Sequence, residues 1–90
     1  MFGYLTFQKE NWKSSEIEIF ELFNYRCARC PAPAVTLHEI VPKSKRPKDW
    51  DDPLNRIPLC MFCHMWAHNR GTKFSAQILT VLRLEKEKLK

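Results

Sequence analysis

The chain has 90 residues, the length of one small domain (1–90) with a thin hydrophobic core that benefits from a metal ion or disulfide bonds. Its 15 basic and 10 acidic residues give a net charge of +5, which favours a polyanionic partner, although lysines kept for solubility give the same balance. Residues 1–9 lack the apolar stretch of a signal peptide and no apolar run reaches membrane-spanning length, so we expect a cytoplasmic protein with reduced cysteines and no membrane partner.

The first predicted element is a short helix over about 15–24. Ser14 or Ser15 is its candidate N-cap, and acidic residues follow in the first turn. Ile17 and Phe20 fall at helical spacing on one side, so this side should face the core. The prolines after the first cysteine pair exclude a helix there.

Two short strands are predicted next, on either side of a loop. Residues 35–41 are apolar and β-branched around one polar pair, which is typical of a strand. Residues 42–53 are polar, basic and punctuated by prolines, which indicates a loop. Residues 57–59 predict a second strand, and Pro58 within it favours an edge position.

Two helices are predicted after the second strand. One begins around residues 61–64, runs to about Asn69 and ends at Gly71. Ser75 is the candidate N-cap of the other, over about 75–90. Its apolar stripe consists of Ile78, Leu82 and Leu89, with Leu79 beside it. We expect this stripe to pack against the domain's own core, although it could instead bind a protein partner.

The four cysteines form two pairs of identical spacing, Cys27-x-x-Cys30 and Cys60-x-x-Cys63. Each pair can form a knuckle, and two facing knuckles place four sulfurs at the corners of the tetrahedron that structural zinc prefers. Disulfides or a redox-active Cys-x-x-Cys suit matched pairs in a reducing compartment less well. Haem attachment through Cys60-x-x-Cys63-His64 leaves the first pair unexplained. We therefore predict a structural Zn²⁺ with four thiolate ligands and no open coordination position.

The chain's three histidines are candidate ligands of a second metal ion. His64 and His68 are four residues apart, so on a helix they share one face and both imidazoles can reach one ion. His38 lies between the two cysteine pairs, next to Glu39. The alternative is that His64 and His68 are partly buried helix residues with hydrogen-bonded rings, and spacing alone favours this alternative.

Further motifs lie in a fixed order between and after the cysteine pairs. They are Leu37-His38-Glu39-Ile40-Val41-Pro42-Lys43-Ser44, then Asp52-Pro53-Leu54-Asn55-Arg56-Ile57-Pro58-Leu59, then His64 directly after the last cysteine. This order resembles the HNH endonucleases, in particular the small phage and bacterial type, over about residues 26–68. The resemblance implies an α+β fold: a small zinc-stapled ββα-metal domain with a core over about 26–70 and flanking helices.

The resemblance also implies metal-dependent endonuclease cleavage of nucleic-acid phosphodiester bonds, with double-stranded DNA as the expected substrate and RNA as the alternative. The catalytic residues that it implies are His38, Glu39, Asn55 and His64. His38 and His64, and also His68, would hold the catalytic ion, which is Mg²⁺, Mn²⁺, Ni²⁺ or Zn²⁺; imidazole ligands favour the later transition metals. Asn55 would fix the loop so that the strand residues face the ion, although alone it reads as an ordinary turn residue.

One position departs from the family pattern, which usually has a metal-binding residue followed by a histidine base. This chain has His38-Glu39, which places Glu39 in the base position, and a carboxylate can take a proton from a metal-polarised water. The alternative is that His38 is the base while His64 and His68 hold the ion. Neighbours on a regular strand point to opposite faces, so both can serve one site only at a bulge or a strand end. The departure also allows a catalytically inactive zinc-binding module that binds nucleic acid or protein.

Basic residues crowd the loop after the His-Glu pair, and this basic loop carries Lys43, Lys45, Arg46 and Lys48. We expect it to lie beside the catalytic ion and to bind the phosphate backbone in a salt-dependent way, the alternative being a solvated loop. Trp50 could stack on a base, but tryptophan is more often a core residue, and we assign Trp12 and Trp66 to packing. Sequence specificity would require a protein partner or a dimer.

Overall fold

The computed structural model describes residues 12–89, so the predictions made for residues 1–9 and for Lys90 lie outside the described residues. The described part is an α+β arrangement of three α-helices and a two-stranded antiparallel sheet. Its elements are α1 (Ser14–Leu22), β1 (Thr36–Glu39), a short 3-10 helix (Pro53–Asn55), β2 (Arg56–Leu59), α2 (Met61–Arg70) and α3 (Thr72–Lys88). The predicted order of elements is confirmed, and several boundaries differ.

The start of α1 corrects the predicted N-cap. Lys13 is the N-cap, and Ser14 is already the first helical residue. The reason is Glu16, whose side chain accepts the backbone N–H of Lys13 at 2.9 Å and so fixes the first turn one residue earlier. A serine hydroxyl is therefore not needed to cap this helix.

The end of α1 directs the chain into the first cysteine pair. Asn24 and Tyr25 have positive φ angles of 55° and 61°. The backbone N–H of Tyr25 donates to the carbonyl of Phe20 at 2.8 Å, and that of Asn24 donates to the carbonyl of Glu21 at 2.9 Å. These two bonds are those of a Schellman motif with Asn24 at the left-handed position, a role that asparagine tolerates.

The two strands pair in antiparallel register, with His38 opposite Ile57 and Glu39 opposite Arg56. β1 is shorter than the predicted 35–41 because the backbone of Val41 is bound by a side chain instead of by the partner strand. Pro58 is accommodated because both strands of a two-stranded sheet are edges. Glu39 is thus the last residue of β1, a strand end.

A single glycine separates α2 from α3. Gly71 ends α2 as predicted, with a φ of 90° that favours glycine, and it also serves as the N-cap residue of α3. α3 therefore begins at Thr72, and the prediction that Ser75 caps it is wrong. The Ser75 hydroxyl lies within the helix and donates to the Gly71 carbonyl at 3.0 Å.

The buried face of α3 differs from the predicted stripe. Ser75, Leu79 and Arg83 are buried, whereas Ile78 and Leu89 are 37% and 80% exposed. Leu82 of the stripe packs partly against the core. Arg83 belongs on the inner face because its Nε donates to the Arg56 carbonyl at 3.0 Å and its Nη1 to Glu87 at 2.7 Å. Neither α3 nor any shorter helix among residues 12–89 is long and apolar enough to cross a membrane.

The hydrophobic core consists of two clusters of buried residues. The larger cluster joins the sheet to α2 and α3 and contains Phe23, Cys27, Ile40, Ile57, Leu59, Cys60, Cys63, Ala67 and Leu79. The smaller cluster lies under α1 and contains Ile19, Phe20, Ala34 and Leu37. Trp66 packs against the first and Trp12 against the second, which confirms both packing assignments. Because three of the four cysteines belong to the larger cluster, the cysteine site forms part of the hydrophobic core.

Candidate metal sites

The four cysteines come together in one cluster. Cys27 and Cys30 lie in the segment after α1, Cys60 is the N-cap of α2, and Cys63 lies in its first turn. Their sulfur atoms all lie within 4.8 Å of one another. The two halves are joined by the backbone, because the N–H of Ala28 donates to the carbonyl of Pro58 in β2 at 3.0 Å. All four are free thiols, and the cluster could bind a structural metal ion.

The spacing of the sulfurs fits a tetrahedral zinc ion. Zinc–sulfur bonds of about 2.3 Å in tetrahedral geometry require sulfurs about 3.8 Å apart. The sulfurs of Cys30 and Cys60 are 3.5 Å apart. Backbone N–H groups point at the sulfurs, from Arg29 to Cys27 and from Cys63 to Cys60, both at 3.4 Å. Such donors stabilise thiolates, which are the form that binds metal.

The pKa values of three thiols in the cluster are shifted, and the shifts differ in direction. Burial, together with the neighbouring thiols, raises the pKa of the Cys63 thiol to about 12. Burial likewise raises the pKa of Cys60, whereas a hydrogen bond from the backbone at Ala32 lowers that of Cys30. A zinc ion bound by these sulfurs would hold all four as thiolates, since zinc deprotonates its thiol ligands outright.

Arg29 is a residue of this site that the sequence analysis missed. Its Nη1 donates to the sulfur of Cys63 at 3.5 Å, and its guanidinium lies 3.7 Å from the centroid of the Trp66 ring. Arg29 lies between the two cysteines of the first pair, and its side chain contacts Cys63 of the second pair and Trp66, both in α2. Nothing in the spacing of the sequence indicates this, because the contact spans 34 residues.

The three histidines also converge, although they come from different elements. His38 is in β1 and 7% exposed, and His64 and His68 are one turn apart on α2. The Nδ1 atoms of His38 and His64 are 3.3 Å apart, and the Nε2 atoms of His64 and His68 are 3.2 Å apart. One nitrogen from each ring lies within 4.8 Å of the others. This histidine cluster (His38, His64 and His68) has the size of a three-imidazole metal site.

The environment keeps the buried rings unprotonated. Burial, followed by the charges of His64 and His68, lowers the pKa of His38 to about 4. Burial, followed by the charge of His68, lowers the pKa of His64 as well. An imidazole binds a metal ion only as the neutral base, so both rings are available as ligands at neutral pH.

Glu39 and the histidine cluster line the same pocket, of about 380 Å³. Glu39 and its neighbour His38 both line this pocket, and Glu39 is the last residue of β1, where the strict alternation of strand faces ends. The remaining lining comes from Pro42 and from the junction of α2 and α3, which contributes Ala67, Gly71, Thr72 and Ser75, with Leu37 at the base. Three candidate ligands and one candidate base therefore face one cavity.

Asn55 is not among the residues that line the pocket and is 2% exposed. Its side chain accepts the backbone N–H of Val41 at 2.9 Å and donates to the carbonyls of Val41 and Trp50 at 2.9 and 2.7 Å. Its backbone carbonyl accepts the N–H of Ile40 at 2.7 Å. Asn55 therefore joins both ends of the loop that follows β1, which fixes the position of the strand end that carries Glu39.

The basic loop does not act as one uniform cationic patch. Arg46 forms a bidentate ion pair with Asp49, with distances of 3.0 and 2.6 Å, so much of its charge is compensated. The Lys43 ammonium lies 5.2 Å from the centroid of the Trp50 ring. Lys45 lines a separate groove next to the histidine pocket, and Lys48 is exposed. Trp50 is half-buried and contributes its carbonyl to Asn55.

Compared with protein-family models, with curated proteins and with solved structures, the chain gives no significant match in any of the three comparisons.

Proposed function

We propose that this chain is a metal-dependent HNH-type endonuclease that hydrolyses phosphodiester bonds of nucleic acid, with double-stranded DNA as its substrate. The observation that carries the proposal is the convergence of His38, His64 and His68 from two elements onto one point of a pocket that Glu39 also lines. Helical spacing explains His64 beside His68 without any function. It does not explain why a buried histidine of the sheet meets both of them.

The histidine cluster would hold the catalytic ion. A divalent ion bound there supplies Lewis-acid stabilisation of the phosphate and of the leaving oxygen, and it makes a bound water more acidic. Neutral imidazoles suit Ni²⁺ or Zn²⁺ best, and Mg²⁺ and Mn²⁺ are the further candidates. The four-cysteine cluster is a different kind of site, because four thiolates close the coordination shell of a structural zinc ion.

Glu39 is the better candidate for the general base. The ring of His38 is already engaged with His64, at 3.3 Å, which favours a ligand role for His38. Glu39 is half-buried at the rim of the same pocket. In the proposed step its carboxylate takes one proton from a water molecule, the water oxygen forms a bond to phosphorus, and the bond from phosphorus to one sugar oxygen breaks. The departing sugar oxygen takes a proton from solvent.

Asn55 and the cysteine cluster would position these groups. Asn55 holds the strand end next to Glu39 through its bonds to Val41. Cys63 directly precedes His64 on α2, so the metal that fixes Cys63 also fixes the start of the helix that presents two of the three histidines. Precise positioning of this kind accounts for a large part of the rate of phosphodiester hydrolysis.

The test is nicking of supercoiled plasmid by the purified zinc-loaded protein with Mg²⁺, Mn²⁺, Ni²⁺ or Zn²⁺. We expect metal-dependent nicking that is lost in His64→Ala and reduced at least a hundredfold in Glu39→Gln. Matched controls are Asn69→Ala, an exposed residue of α2, and Glu85→Gln, an exposed carboxylate of α3, both of which should retain activity. Nicking that survives Glu39→Gln but not His38→Ala would transfer the role of the base to His38.

The rival function is a zinc-binding module that binds nucleic acid without turnover. The feature that favours this binding module is Glu39, because the HNH endonucleases that the sequence resembles usually have a histidine base at this position. Absence of nicking with every ion, in a protein that retains one zinc per chain and binds DNA, would replace the nuclease by this module.

A further inference from the structure

A second groove lies beside the histidine pocket and shares two of its residues, Gly71 and Thr72. It has a volume of about 500 Å³. Its lining consists of Lys45, Arg70, Gly71, Thr72, Lys73, Phe74 and Gln77. The two cavities therefore adjoin each other at the junction of α2 and α3.

Three cations from three different elements line this groove. Lys45 comes from the loop after β1, Arg70 from the last residue of α2 and Lys73 from the first turn of α3. All three are exposed, and no acidic residue of the described chain is among the lining. Lys45 reaches the groove from a turn in which its backbone N–H donates to the carbonyl of Pro42 at 2.9 Å, and Pro42 lines the histidine pocket.

The position of Lys73 is unfavourable for α3 itself. A helix N-terminus carries partial positive charge and prefers acidic side chains, yet the first turn of α3 has a lysine and no acidic residue. The backbone N–H groups of this turn also precede the first intrahelical bond, which runs from Ser75 to Gly71. An anion bound between Lys73, Arg70 and these N–H groups would offset both costs. Departures from local rules of this kind are expected at functional sites.

We propose that this basic groove binds the phosphodiester backbone of the nucleic acid next to the phosphate that is cleaved. The inference rests on the proposed function for the identity of the ligand. It assigns Arg70 and Lys73, which the sequence did not single out, to the same surface as Lys45. The charge of Arg46, in contrast, is compensated by Asp49, and Arg46 does not line this groove.

The test is the salt dependence of binding to a fluorescent duplex DNA of 20 or so base pairs, measured by anisotropy with no divalent ion added, so that cleavage does not enter. The groove variant is Arg70→Gln with Lys73→Gln. The control is Lys86→Gln with Lys88→Gln, which makes the same change in net charge in the last turn of α3, about 20 and about 22 Å from Lys73 along the helix. Circular dichroism of each variant checks that α3 is retained.

We expect the groove variant to bind more weakly and to lower the slope of log K against log salt by about 1.8, because each phosphate contact contributes about 0.9. Lys45→Gln alone should lower the slope by about 0.9. The control pair should leave the slope unchanged. Equal effects of the two pairs, or no effect of the groove pair, would overturn the inference by showing that binding depends on net charge or on another surface.

The same measurement with duplex RNA of the same sequence distinguishes binding of a DNA backbone from binding of an RNA backbone. The groove and the nuclease can also fail separately. Groove-dependent binding without plasmid nicking would keep this inference and remove the proposed function. If the protein nicks plasmid but its DNA binding does not depend on Arg70 and Lys73, the proposed function stands and this inference fails.

Discussion

Asn55 and Val41 form a reciprocal pair of hydrogen bonds, in which the amide oxygen of Asn55 accepts the Val41 N–H and its amide nitrogen donates to the Val41 carbonyl, both at 2.9 Å. The side chain thus replaces the partner strand at the point where β1 ends. Its amide nitrogen also donates to Trp50, nine residues further along the loop. The loop after β1 is therefore held by one buried amide, and the position of Glu39 depends on it.

Removal of this amide should destabilise the fold and the site together. We expect Asn55→Ala to lower the free energy of unfolding by about 2–4 kcal/mol, because it leaves part-buried backbone groups of Val41 and Trp50 without their bonds to this side chain. Urea denaturation of the zinc-loaded protein measures this. Asn55→Asp keeps one acceptor, loses both donated bonds and should be no more stable than the alanine variant. Asn69→Ala, on the exposed face of α2, is the control and should change stability by less than about 0.5 kcal/mol.

The four-cysteine cluster should make folding depend on zinc. We expect one tightly bound zinc per chain from elemental analysis, with an apparent binding free energy of about 10 kcal/mol or more. Because three of the cysteines belong to the larger core cluster, a chelator should abolish the near-ultraviolet circular dichroism of Trp66, and added zinc should restore it. Cys63→Ser should behave like the chelated protein. A chain that stays folded with four titratable thiols and no metal would contradict the zinc assignment.

Arg29 should tune the affinity of this zinc site. Its guanidinium donates to the Cys63 sulfur and stacks on Trp66, so it stabilises a thiolate ligand and holds the ring beside it. We expect Arg29→Ala to weaken zinc binding about 10-fold or more, which is typical of residues that hydrogen-bond to metal ligands. Competition with a chromophoric chelator measures the affinity. Arg26→Ala is the matched control, since Arg26 is exposed in the same segment and donates to the Pro31 carbonyl instead of to a sulfur.

The sequence predicted those features that depend on local spacing. The matched Cys-x-x-Cys pairs predicted the cysteine cluster, and the i, i+4 spacing of His64 and His68 predicted that they share a helix face. The glycine that ends α2 was also predicted, because only glycine readily adopts its φ of 90°. The helix face and the glycine depend on residues a few positions apart, whereas the cysteine cluster was predicted because its two pairs, 30 residues apart, have identical spacing.

The features that the sequence did not predict depend on contacts between distant segments. The apolar stripe of α3 was placed one residue away from the true inner face, because Arg83 is drawn inward by carbonyl groups of Pro53 and Arg56. The groove at Arg70 and Lys73 depends on the arrangement of three elements around Gly71. The meeting of His38 with α2 was expected from the family resemblance alone, because periodicity specifies neither the register of the sheet nor the packing of the helix.

The buried position of His38 gives the protein a predictable response to acid. Its pKa is lowered to about 4, by burial first and then by the charges of His64 and His68, from an ordinary value of about 6.5 in the unfolded chain. Between these values the unfolded state binds a proton that the folded state does not, so the stability that His38 contributes above pH 6.5 or so is lost as the pH falls toward about 4. Glu39 and the two helix histidines are the titratable groups that line the pocket with it.

We therefore expect His38→Gln to lose less stability than the unmodified chain as the pH is lowered from 7 to 5. Both proteins carry the same four cysteines, so the loss of zinc at low pH affects them alike, and the difference between their unfolding free energies isolates His38. Nuclear magnetic resonance of the imidazole protons in the zinc-loaded protein, with no second ion added, should show the His38 ring still neutral at pH 5, because its pKa is lowered to about 4. A midpoint near 6.5, with equal acid sensitivity of the two proteins, would show that the ring is hydrated and is not held among the other two histidines.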